Sequence, residues 1–240
     1  AAERALFLFV LSDRVQDFSQ VLTPEEGARN ERGSSFSVTS EIPRGLEIPK
    51  AWEALIKEFV VESLRNWRAH GAETLVQRRF LNKPPESRIR ICARIEPRGI
   101  SLVYEDDGPG PQPEKILARA RTLNLLTSAE LARLEGALHK GDHTPVLQLI
   151  FRDGLSTRDW VDETAGRGMG LSRLASEAQR KGATLLAGKS AALGGMALKL
   201  FVPCKTFGAL ALPQEKRFLR VANHSDEGAS FKIFSQLPPE

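Results

Sequence analysis

The stretch from Ile89 to Tyr104 constrains the fold most. Ile89, Ile91, Ala93 and Ile95 alternate with Arg88, Arg90, Cys92 and Arg94, the period of a half-buried strand. Pro97-Arg-Gly99 makes a tight turn, and Ile100 to Tyr104 returns as the paired strand. A chain committed to such a hairpin must extend it into a sheet and cover its apolar face. The returning strand runs into Asp106-Asp-Gly-Pro-Gly110, so it delivers a carboxylate to its tip beside two glycines.

The cover is helical. Pro49 suits the first turn of a long helix whose one face carries Trp52, Leu55, Ile56, Phe59, Val60, Ser63 and Trp67, with Gly71 as its stop. A second helical pattern spans 113–123. Thr127-Ser-Ala-Glu130 is a capping box opening a third, with Leu131, Leu134 and Leu138 on one face. Gly168 to Gln179 is a fourth, with Leu171, Leu174, Ala175 and Ala178 inward. Phe36 to Glu41 reads as a short strand, and Ala183 to Ala187 with Ala197 to Val202 as a closing strand pair. Residues 4–22 read as a further helix with Leu6, Phe9, Val10, Phe18 and Val21 near helical spacing, followed by a polar loop. Beyond Pro203 the tail has no clear assignment. The expected class is α+β: a two-layer α/β sandwich with a mixed, mostly antiparallel sheet and helices on one face.

Hydrophobic content of 41% and charge content of 27% are those of an ordinary soluble globular protein. The apolar run Ala5–Leu11 is too short to span a bilayer and lacks the flanks of a secretory signal, so no membrane insertion is expected. Two cysteines, Cys92 and Cys204, make neither a disulfide framework nor a metal site, which fits a reducing, cytoplasmic setting. The chain begins Ala-Ala without an initiator Met and is expected to be a piece of a longer protein. Its net charge of +4 favours an anionic ligand, but Lys and Arg are spread too evenly for a nucleic-acid surface.

Four segments, in chain order, bear on chemistry: Glu62-Ser-Leu-Arg-Asn66, Asp106-Asp-Gly-Pro-Gly110, Ile150-Phe-Arg-Asp-Gly-Leu-Ser-Thr157 and Gly166-Arg-Gly-Met-Gly170. Asp106, at the end of an apolar strand, can accept a hydrogen bond from the exocyclic amine of adenine, worth roughly 1.5–3 kcal/mol. Gly108 and Gly110 let the backbone approach base and ribose. Taken alone, the same residues also suit a surface turn. Gly166-Arg-Gly-Met-Gly170 opens an amphipathic helix, where bare amides and the dipole bind phosphate oxygens, and Arg167 adds a charge. Alone, it is equally a hinge. On the long helix the Asn66 amide oxygen suits a magnesium ion, and Glu62, one turn earlier on the same face, suits proton transfer to or from a nucleophile. His70 reads as a helix-terminal histidine or a nucleotide contact. His139, His143 and His224 lack neighbours at metal-ligand or catalytic-triad spacing.

In this order the segments resemble the N, G1, F and G2 boxes of the GHKL (HATPase) ATPases. The similarity is greatest to the catalytic ATP-binding domain of the chemotaxis histidine kinase CheA. Leu64-Arg-Asn66 with His70-Gly-Ala-Glu73, Lys83-Pro-Pro85, Ile150-Phe151 with Ser156-Thr157, and Gly166-Arg-Gly-Met-Gly170 carry the resemblance, from about Phe36 to Pro203. It implies a Bergerat-type sandwich over 35–204 with a lid at about 111–165, an N-terminal helix and linker at 1–34, and a C-terminal tail at 205–240. It also implies magnesium-ATP as substrate. Asn66 would be the magnesium ligand and Glu62 and Asn66 the catalytic pair. Asp106 would receive adenine, and Arg65, Asn66, His70, Gly108, Gly110, Arg119, Ser156, Thr157, Gly166, Arg167, Gly168, Met169 and Gly170 would complete the ATP site.

The family's usual chemistry is transfer of the γ-phosphoryl group to a histidine on a separate phosphotransfer domain in a two-component phosphorelay, with a response regulator downstream. The acceptor is expected on another chain or on a part of the protein outside this one, and the helix at 4–22 is expected either to pack on the ATP domain or to pair between chains as a homodimer. The chain departs from the CheA pattern in several places. Glu62 stands where CheA-type kinases commonly have histidine, Ala69 where Asp precedes His-Gly, Asp153 and Leu155 where Pro and Phe are usual, and Leu193-Gly-Gly-Met196 where Gly-Thr-Gly-Thr is expected, losing a hydroxyl that would help hold phosphate. These leave two alternatives open: an ATP hydrolase acting as a conformational clamp with Glu62 as base, and a non-catalytic ATP sensor or scaffold.

Overall fold

The computed structural model describes residues 36–43, 46, 48–155 and 170–203, and the backbone of 214–224 and 228–234. The expected helix at 4–22 lies outside them. Strands β1 (Phe36–Pro43), β2 (Ser87–Glu96), β3 (Gly99–Asp106), β4 (Thr184–Lys189), β5 (Met196–Pro203), β6 (Gln214–His224) and β7 (Gly228–Phe234) form one sheet in the order β4-β5-β3-β2-β1-β6-β7. The β1–β2 pair is parallel and every other pair antiparallel, giving the mixed, mostly antiparallel sheet expected. The anticipated hairpin is β2–β3, with Ile95 opposite Ile100 next to its turn.

Register puts Val38, Ile89, Ile91, Ala93, Leu102, Leu200 and Leu198 on one face, where they are buried. Helix α1 (Glu53–Asn66) supplies Leu55, Ile56, Phe59, Val60 and Leu64 to the same core, following a 3-10 turn at Lys50–Trp52. Helix α6 (Gly170–Arg180) adds Leu174 and Ala178. Between β3 and α6 lie α3 (Pro113–Thr122), α4 (Ser128–His139) and the single turn α5 (Thr144–Leu147), which continues as a 3-10 turn to Phe151. Gln148 closes the sheet edge: its side-chain amide donates to the Ala187 carbonyl at 2.9 Å and accepts from the Ala187 N–H at 3.2 Å. That satisfies backbone groups an edge strand would leave open.

Several details depart from the sequence expectation. Cys92, read as outward-facing, is buried, because Glu41 and Val103 flank it in register on the two neighbouring strands. A short helix α2 (Leu75–Phe80) follows the long one and was not anticipated, although Thr74 and Gln77 form a capping box. The residues after Pro203 give β6 and β7, which extend the sheet beyond β1. Adjacent apolar pairs such as Phe218-Leu219 blur their period-two signal.

Candidate functional site

The site grows from the tip of β3. Asp106 is only 1% exposed, and its carboxylate is held from three sides. Oδ1 accepts from the Gly108 N–H at 2.9 Å and the Met196 N–H at 3.1 Å, while Oδ2 accepts from the Tyr104 hydroxyl at 3.1 Å. Burial pushes the carboxyl above its ordinary range, and these three donors pull it back. Tyr104, fully buried beside it, is held well above the usual phenol range by burial first and by the Asp106 charge second.

Glycines bring backbone against this carboxylate. A Cβ on Gly195 would overlap Asp106 Oδ1 and its carbonyl oxygen, and the Gly195 N–H donates to that carbonyl at 3.0 Å. A Cβ on Gly108 would sit 2.5 Å from the Gly71 carbonyl. Gly110 has φ +77, the left-handed region that favours glycine. The Leu193–Met196 turn, singled out for a missing hydroxyl, therefore packs on Asp106 through its main chain. Ser190 braces it by accepting from the Leu193 N–H at 2.8 Å and donating to Glu105 at 2.8 Å.

The end of α1 meets this loop. After Asn66 the chain makes one π turn, Trp67–Gly71, closed by the Ala72 N–H donating to the Trp67 carbonyl at 2.8 Å. Such a turn shifts the residues after it around the helix axis and is frequent at functional positions. Asn66 is half-buried and His70 exposed at this end. Glu62, one turn back, is buried, accepts from Arg65 Nη1 at 2.6 Å and packs against Gly170, where any Cβ would overlap its carboxylate. Helix α1 thus touches the start of α6 at Glu62, and the π turn that continues it touches the Asp106–Gly108 loop at Gly71.

The structure accordingly gathers Asp106, Gly108 and Gly110 with the end of α1, and Glu62 with Gly170. Arg65 is exposed apart from its pair with Glu62, and Arg119 is half-buried on α3. Ser156, Thr157, Gly166, Arg167, Gly168 and Met169 lie outside the described residues. Among the described residues no cluster of acidic, His and Cys side chains could hold a metal by itself, so a metal here would depend on ligand oxygens as well as Asn66.

Sequence reasoning missed what lies behind the loop. Arg78, on α2, has no exposed surface. Its Nε donates to the Pro84 carbonyl at 2.6 Å, Nη1 to Glu73 at 3.1 Å and Asp107 Oδ1 at 3.2 Å, and Nη2 to the Glu86 carbonyl at 3.0 Å and Asp107 Oδ2 at 2.8 Å. All five guanidinium N–H groups are used. Lys83 joins the cluster through Glu73.

No family model matches the chain. The gliding motility regulatory protein of Myxococcus xanthus is 33% identical over 149 residues, which cover 62% of this chain and 18% of that protein. Chemotaxis protein CheA of Listeria monocytogenes is 33% identical over 116 residues, 48% of this chain and 18% of the relative. The chain is homologous to the CheA proteins. It spans less than a fifth of the length of these two relatives. Among solved structures, a mycobacterial sensor histidine kinase, MprB, aligns over 80% of this chain and 93% of its own at 18% identity and a TM-score of 0.41. No helix among the described residues is long and apolar enough to cross a membrane.

Proposed function

We propose that this chain binds magnesium-ATP and transfers its γ-phosphoryl group to a histidine on a separate phosphotransfer domain in a chemotaxis-type two-component system. The observation that carries the reading is Asp106: a buried carboxylate, fixed by two amides and a hydroxyl and walled by side-chain-free Gly108 and Gly195. A group so placed accepts from an exocyclic amine and rejects a carbonyl, which favours adenine over guanine.

The remaining residues suit the other end of the nucleotide. Gly170 opens α6, whose first amides favour phosphate oxygens. The donor near it is hard: the Asn66 amide oxygen fits magnesium with phosphate oxygens and water as its other ligands, with the Glu62 carboxylate one turn away on the same face. Bound magnesium supplies neutralisation of the phosphate charge. Asn66 would hold the ion, Arg65 and Arg119 would add positive charge, His70 would offer a ring N–H, and the helix amides would orient the γ-phosphoryl group for in-line attack. The acceptor histidine and the response regulator downstream belong to partners outside this chain.

Hydrolysis is the second reading, favoured by the position of Glu62 at the opening of α6. There its carboxylate would accept a proton from water rather than orient a protein acceptor. One experiment separates the two. The full chain is incubated with γ-labelled ATP, magnesium and candidate phosphotransfer domains. Acid-labile phosphohistidine that disappears in Asn66→Ala supports transfer. Steady phosphate release without acceptor, lost in Glu62→Ala, supports hydrolysis, and binding with neither outcome leaves a sensor or scaffold.

A further inference from the structure

The ammonium of Lys83 reaches the Asp106–Gly108 loop from behind. Nζ donates to Glu73 Oε1 at 2.8 Å and Oε2 at 3.0 Å, and also to the carbonyls of Asp107 at 2.8 Å and Gly108 at 3.1 Å. The peptide joining Asp107 to Gly108 is therefore gripped at both ends. Its oxygen accepts from Lys83, and its N–H donates to Asp106 Oδ1 at 2.9 Å. Rotation of that one peptide would break both bonds together.

The electrostatics favour this arrangement. Arg78 and Lys83 face Glu73 and Asp107, two charges of each sign, and Arg88 adds a longer contact to Asp107 at 3.4 Å. Lys83 is the outermost member of the inner four, with its side chain 26% exposed against 0% for Arg78. Its own N–H donates to the Arg78 carbonyl at 2.8 Å, and Arg78 returns a bond to Pro84, so the segment carrying Lys83 is fixed relative to the cluster. Glu73 alone would complete an ion pair. The two further bonds fall on the backbone that carries a hydrogen-bond partner of Asp106.

We propose that Lys83 is a positioning residue for base selection: by holding the 107–108 peptide it keeps Asp106 Oδ1 occupied by Gly108 and Met196. Oδ2, which accepts from Tyr104, is then the oxygen with capacity left for an incoming amine. The inference rests on the reading of Asp106 as the acceptor for adenine and extends it to a residue that touches no nucleotide. Without the ammonium the peptide can turn, Oδ1 loses a donor, and the carboxylate no longer presents one orientation to the base.

The test measures binding of magnesium-ATP, magnesium-GTP and inorganic tripolyphosphate to the full chain and to Lys83→Met, with thermal melts alongside. The preference for ATP over GTP should fall about tenfold, as for loss of one charge-assisted contact, while tripolyphosphate affinity stays within about twofold. Lys83→Arg, which restores a cation able to donate to the carbonyls, should recover most of the preference. An unchanged preference in Lys83→Met overturns the proposal, as does an equal loss for all three ligands, which would mark general support of the fold. If Lys83→Met does not fold, Lys83→Gln carries the same comparison with the same expected fall. A wild-type chain that binds ATP no better than GTP would instead sink the adenine reading itself, and this inference with it.

Discussion

Arg78 and Asp107 are joined by two hydrogen bonds, one from each terminal guanidinium nitrogen to a separate carboxylate oxygen, at 3.2 Å and 2.8 Å, between side chains 0% and 3% exposed. They tie α2 to the loop after β3. The planar fork of the guanidinium matches a carboxylate in a way no lysine can. Because both groups are out of water, truncating Arg78 leaves the buried Asp107 charge with the longer 3.4 Å contact to Arg88 in place of a close pair. Arg78→Ala should therefore destabilise the chain by about 3–5 kcal/mol, read from urea unfolding, and Arg78→Lys should recover only part of this. A loss within experimental error of zero would show that water or a neighbouring cation replaces the arginine.

That cluster also marks where the sequence stopped being informative. The β2–β3 hairpin was legible because its period and its Pro97-Arg-Gly99 turn are local. Asp106 was legible because it follows directly from the strand. Arg78 was not, since its five acceptors lie on Glu73, Pro84, Glu86 and Asp107, and only the folded backbone brings them together. Beside Arg79 it looks like half of a solvated pair. Helix α2 was missed because its one good signal, the Thr74–Gln77 box, was outweighed by its shortness and by Pro84-Pro85 after it. The role of Gly195 was hidden differently. The turn was read for the hydroxyl it lacks, whereas its contribution is the absence of a side chain beside Asp106.

Asp106 should show a conflict between binding and stability. Burial raises its folded carboxyl above the unfolded value near 3.8. A raised acid contributes stability that is complete below the unfolded value and is lost as pH rises through the folded one. At neutral pH the charge is therefore a net cost to the fold. Asparagine keeps an oxygen for the Gly108 and Met196 amides but turns a donor toward the base and toward the Tyr104 hydroxyl, which must rotate to accept. Relative to wild type, Asp106→Asn should gain melting temperature as pH rises from acid to neutral, while ATP affinity drops about tenfold or more. A difference between the two that does not change with pH would contradict the sign.

Gly195→Ala tests the packing of the turn on that carboxylate. Its methyl group would overlap Asp106 Oδ1 and the Asp106 carbonyl, and the latter cannot rotate away. Overpacking of this kind costs about 1–3 kcal/mol, and the displaced carboxylate should also bind ATP poorly. Gly188→Ala is the control: it lies on β4 with nothing within 4 Å of the added carbon and should be near neutral. Equal behaviour of the two variants in melts and in ATP titration would mean that the turn yields freely.

Helix α4 offers a separate pH test. The Thr127 hydroxyl accepts from the Glu130 N–H at 3.2 Å, and Glu130 accepts in return from the Thr127 N–H at 2.8 Å and hydroxyl at 2.9 Å. Arg152 adds a bond at 3.0 Å. Chiefly through the Thr127 N–H, these donors lower the Glu130 carboxyl to about 2 from 4.5. A lowered acid stabilises above its unfolded value and loses that contribution as pH falls through the folded one, so the window here runs from about 4.5 down to about 2. Glutamine at this position still accepts from Thr127 but does not titrate. Glu130→Gln should therefore flatten the fall in melting temperature across that window, whereas Thr127→Ala should lower stability at neutral pH by about 1 kcal/mol. If Glu130→Gln leaves the acid limb of the melting curve as steep as in wild type, the box does not govern it.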